Sequence, residues 1–92
     1  MKTLTFDFSQ INTKKDFFNE FKLKNELSET FSSNYDALYD VLTGELELPM
    51  EIHFQNFTLE KLEKFEDLIA TLEDAESELE DQLTFRYFME EE

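Results

Sequence analysis

At 92 residues the chain is long enough for one hydrophobic core and short of the size at which two become favoured, so a single domain over 1–92 is expected. Twenty-three acidic side chains against eight basic ones leave a formal charge of −15, which repels nucleic acid and anionic membranes and attracts basic proteins. With no cysteine, one glycine and one proline, the composition excludes a disulfide framework, a thiol nucleophile, a glycine-rich phosphate loop and a flexible linker.

The start, MKTLTFDFSQ, has no unbroken apolar run, so neither a signal peptide nor a membrane span is expected and the cytoplasm is the expected compartment. Residues 3–8 alternate instead, Leu4, Phe6 and Phe8 on one side and Thr3, Thr5 and Asp7 on the other, which predicts a strand. Thr13 then caps a predicted helix over 14–27, with Phe17, Phe18, Phe21 and Leu23 as its apolar stripe. Residues 28–33, SETFSS, read as a loop.

Asn34 opens a second predicted helix in NYDALYDVLTG, with Gly44 as its expected C-terminal stop. At helical spacing Asp36, Asp40, Thr43, Tyr39 and Tyr35 share an arc of about 140°, while Ala37, Leu38, Val41 and Leu42 fill the opposite side. Two carboxylates at i and i+4 repel by about 0.2 to 0.5 kcal/mol unless a cation sits opposite. The arc therefore reads either as a partner-binding face or as an ordinary solvated one. Asp36 alone decides little, because the dipole favours a carboxylate in the first turn; Asp40 lies beyond that help.

After Pro49, Met50, Ile52 and Phe54 alternate with Glu51, His53 and Gln55, a second strand. Thr58 opens a third predicted helix, one long element over about 58–80 carrying Leu62, Phe65, Ile69, Leu72 and Leu79 at helical spacing. Between Phe65 and Phe85 stand eight acidic residues and no Lys or Arg, readable as a solvated helix face or as a docking surface. QLTFRYFM closes the pattern as a third strand.

The order β-α-α-β-α-β, with crossovers of this length, predicts an α/β fold built on a three-stranded parallel sheet with three to four helices. Strict alternation in the strands implies that one sheet face is only partly covered. No catalytic constellation emerges: the single His53 lies mid-strand and reads as a structural or surface histidine. No metal-ligand spacing or calcium loop is present, so no enzyme, metal or cofactor is expected.

NYDALYDVLTG followed by ELELPM closely resembles the signature of the barstar family, intracellular inhibitors of barnase-type ribonucleases, in which N-L-D-A-L-W-D-C-L-T-G precedes a proline and a strand. The resemblance implies an inhibitor of antitoxin or immunity type that plugs the active site of a basic, extracellular-type ribonuclease, and a monomer when free. It implies that Asp40 takes the place of a substrate phosphate, that Asp36 pairs with an enzyme cation, that Tyr39 packs at the contact, and that Thr43 and Gly44 touch the enzyme at the helix end. Phe31, Asn34 and Tyr35 enter the implied partner-binding set with the loop and helix start. A late acidic position would fall on Glu73, Asp74 or Glu76. Thr30, Phe31 and Ser32 stand where the family has two tyrosines and a glycine, and Glu45 where it can carry an aromatic. These departures imply a cleft unlike that of barnase, or another basic protein as the partner.

Overall fold

The computed structural model describes residues 2–28 and 30–90. Glu29, inside the expected loop, lies outside the described residues. Strand β1 (Lys2–Asp7), helices α1 (Lys14–Asn25) and α2 (Tyr35–Gly44), strand β2 (Met50–Phe57), helices α3 (Leu59–Lys64) and α4 (Glu66–Leu79), and strand β3 (Leu83–Met89) follow in order. The sheet order is β1-β2-β3, with both pairings parallel.

Register places Leu4, Ile52 and Phe85 in one row and Phe6, Phe54 and Tyr87 in the next. All but Tyr87 are buried. The intervening row, Thr5, His53 and Arg86, belongs to the other face, where Thr5 and Arg86 are exposed and His53 is half-buried. The partly covered face inferred from alternation is therefore present: α1, α2 and α4 all bury their apolar sides in one cluster against the opposite face. There Phe54 lies within ring-stacking range of Phe6, Phe8, Phe17, Phe57 and Phe85, at 4.5 to 5.8 Å between centroids.

Helix α1 starts where expected. The Thr13 hydroxyl accepts from the Asp16 N–H at 3.1 Å, and the Asp16 carboxylate accepts from the Asn12 and Thr13 N–H groups at 3.0 and 3.1 Å, a reciprocal capping box. The Asn12 bond leads in holding the Asp16 carboxyl below its usual range. The helix ends two residues early because Glu26 takes a left-handed conformation, φ 53°. Leu23 does not join the stripe: it is 74% exposed, since two residues beyond Phe21 place it about 200° round the helix.

The single long helix expected over 58–80 is two helices. Phe65 leaves helical geometry at φ −105°, ψ 24° and packs, fully buried, edge-on to Phe8 at 5.2 Å. The Lys61 ammonium donates to the Phe8 carbonyl, tying α3 to the end of β1. Gly44 likewise differs from expectation. It is the last helical residue with no positive φ, and α2 ends through the Glu45 and Leu46 N–H groups, which both donate to the Val41 carbonyl.

Phe54→Ala should cost about 3 to 5 kcal/mol in chemical unfolding, whereas Thr5→Ala on the open face should stay within about 0.5 kcal/mol. Asp16→Asn should lower stability at neutral pH. A depressed folded-state pKa stabilises above the unfolded value of 3.8 and is lost as pH falls through the folded value, so the difference from wild type should close in acid unfolding below that value.

Candidate functional site

Helix α2 presents its two sides very differently. Leu38, Val41 and Leu42 are buried in the core, and Asp36 and Asp40 are exposed. The helix is anchored at its start: the Asn34 side-chain oxygen accepts from the Ala37 N–H at 2.7 Å, and the Asn34 carbonyl from the Leu38 N–H at 3.0 Å. Asn34 thus has a capping role independent of any partner. Thr43 donates its hydroxyl to the Tyr39 carbonyl at 2.8 Å, closing the last turn, with Gly44 exposed beside it and open space where a Cβ would stand.

The two helical aspartates contrast with the others. Asp7 accepts from Ser9 and Asn56, the Asn56 bond leading in holding its carboxyl below the usual range, and Asp16 closes the capping box. Among the described residues Asp36 and Asp40 accept no side-chain or backbone hydrogen bond and pair with no cation; no carboxylate lies within 4.0 Å of a Lys or Arg, and the His53 Nε2 stands 3.5 Å from the Glu51 carboxylate, too long for a hydrogen bond. No basic residue stands in the last turn of α2 or of α4. Two like charges on a rigid helix with no internal partner leave their full acceptor capacity facing solvent.

Tyr35 and Tyr39 sit at the seam rather than on the open arc. Both are half-buried against the core. The Tyr35 ring lies 5.9 Å from that of Phe18, and the Lys14 ammonium stands 4.3 Å above it. Burial, and secondarily the negative charge of Asp67, push the Tyr35 phenol above its usual range. Lys14 and Asp67 are neighbours that sequence reasoning missed. Only the packing of α1 and α4 around the start of α2 brings them there, and no spacing rule reports that.

Phe31, in the loop before α2, is half-buried between Phe18 and Phe21 at 6.2 and 6.0 Å, and its N–H donates to the Ser28 carbonyl. Ser32 and Ser33 are exposed. The loop is thus pinned by an aromatic while its polar residues face outward. Helix α4 packs against α2 and adds exposed Glu73 and Asp74. Glu76 differs from both: half-buried, its carboxylate accepts from the Phe85 N–H at 2.8 Å.

His53 lies on the open sheet face, edge-on to Phe88 at 5.6 Å, with no hydrogen-bond partner for its Nε2. Among the described residues no group of three His, Cys, Asp or Glu side chains converges as a metal site, and no helix is long and apolar enough to cross a membrane.

Replacing Asn34 by alanine should cost about 1 kcal/mol of stability, read in chemical unfolding, whereas Asp40→Ala should leave stability unchanged or raised by a few tenths as the i, i+4 repulsion is removed.

The family model described as Barstar (barnase inhibitor) matches residues 1–90. The chain belongs to the barstar family, a family of inhibitors rather than enzymes.

Proposed function

We propose that this barstar-family chain is an intracellular inhibitor of antitoxin or immunity type, which blocks the active site of a basic barnase-type ribonuclease with α2 and the loop before it. The observation that carries the reading is the pair Asp36 and Asp40: exposed, on a helix capped by Asn34 and seated on the core, and without an internal hydrogen bond or cation among the described residues.

A ribonuclease site concentrates Lys, Arg and His for phosphates. Carboxylates held at fixed positions satisfy those donors and offer no bond to cleave. Asp40 takes the phosphate place and Asp36 pairs with a flanking cation. Tyr39, Tyr35 and Phe31 shape the seam beside them, Thr43 and Gly44 form the edge at the helix end, and Asp74 adds charge from α4. The surrounding negative surface chiefly raises the association rate, an effect that salt removes.

A second reading, an acidic module that docks another basic protein, is favoured by one observation: from Phe65 to Phe85 the chain is acidic without a single Lys or Arg. In that case charges on α4 carry the contact as much as those on α2 do.

Binding of the purified chain to a barnase-type ribonuclease separates the two. Asp40→Ala should weaken binding by at least about 30-fold, the low end of a range of about 2 to 5 kcal/mol for truncating a desolvated charge pair, measured in part on complexes of this family. Glu78→Ala should change it by less than about threefold. Equal, small losses from both variants would replace the inhibitor reading with the diffuse acidic contact.

A further inference from the structure

Late in α4 the Glu76 carboxylate meets a backbone donor of the neighbouring strand. Among the described residues strand β3 is an edge strand paired with β2 alone, so alternate N–H groups of β3 face away from the sheet. Phe85 is 9% exposed, and a donor so nearly buried needs an acceptor. The Glu76 carboxylate supplies it, Oε2 to N at 2.8 Å.

This bond spans the 3-10 turn at residues Glu80–Gln82, where Glu80 takes a positive φ of 52° and redirects the chain from α4 into β3. It therefore restrains α4 beyond what its apolar stripe does. Leu68, Leu72 and Ala75 hold the helix on the core through non-directional contacts, which tolerate some rotation about the helix axis. A hydrogen bond of fixed length and angle from Glu76 does not tolerate it. Asp74 lies about 200° round the helix from Glu76. Holding Glu76 against β3 thus holds Asp74 turned away from β3, exposed beside Glu73.

We propose that Glu76 is a positioning residue: by accepting the edge N–H of Phe85 it sets the rotation of α4 and so the place of Asp74 relative to Asp40. The functional half of this assignment rests on the inhibitor reading; the bond itself does not. Glu76 acts at the surface through Asp74, and what it requires is an acceptor oxygen rather than a charge.

The experiment compares Glu76→Ala, Glu76→Gln, Asp74→Asn and the double variant Glu76→Ala/Asp74→Asn, with a barnase-type ribonuclease as probe. Amide hydrogen exchange is followed in the free proteins. In Glu76→Ala the Phe85 amide should exchange about tenfold faster or more, and binding should weaken by about tenfold. Glu76→Gln, which keeps an acceptor oxygen and removes the charge, should return both to within about threefold of wild type. The Asp74→Asn loss should shrink in the Glu76→Ala background, since a misplaced Asp74 has little left to lose. Binding losses of equal size in the Gln and Ala variants, with Phe85 exchange unchanged, would make Glu76 a direct charge contact and overturn the proposal. Full additivity of the Glu76 and Asp74 effects would do the same. If wild type fails to bind the ribonuclease, the inhibitor reading falls with the functional half, and Phe85 exchange alone judges the clamp.

Discussion

The ring of Phe54, at the centre of the middle strand, is the contact on which the rest is arranged. Five other phenylalanine rings from β1, α1, β2 and β3, and from the turn after β1, close around it. Burying so many large rings in a short chain requires one thick apolar layer, and polar residues on the opposite side of each strand place that layer on one face only. Both crossover segments must therefore return over the same face. Helices α2 and α4, far apart in sequence, become neighbours there.

Rigidity of α2 has the same origin. Leu38, Val41 and Leu42 fix one side of α2 against the core, and Asn34 fixes its start, so the exposed aspartates inherit positions set by groups that touch no partner. The aromatic loop residue Phe31 and the seam residue Tyr35 extend the same logic. Each gives one side of its ring to the core, and Tyr35 carries the Lys14 ammonium on its face. That ammonium is a cation already close to the acidic helix, held by a ring rather than by a carboxylate.

Strands and helix starts were legible because their signals are local. Alternation marked β1, β2 and β3, and Thr13, Asn34 and Thr58 each made the cap bond that their side chains offer. The break at Phe65 was not legible, because that residue continues the apolar stripe and neither glycine nor proline marks the spot. Its departure from the helix follows from where Phe8 lies. Strand β2 runs on through Asn56, whose positive φ of 57° accommodates a register shift against β3, a feature that alternation alone would have ended sooner. The same division runs through the candidate site. Asp36 and Asp40 share an arc fixed by helical periodicity, whereas the half-burial of Tyr35 and Tyr39 and the capture of Glu76 by Phe85 depend on partners from other elements.

The unpaired carboxylates on α2 and α4 carry a cost in the free chain. Among the described residues none of them pairs with a Lys or Arg within 4.0 Å, and like charges held at helical spacing repel one another. Dissolved ions therefore act with opposite sign on the chain's two states. In isolation, screening relaxes the repulsion and the melting temperature rises with ionic strength; joined to a cation-rich partner, the same screening weakens the attraction that holds the pair together.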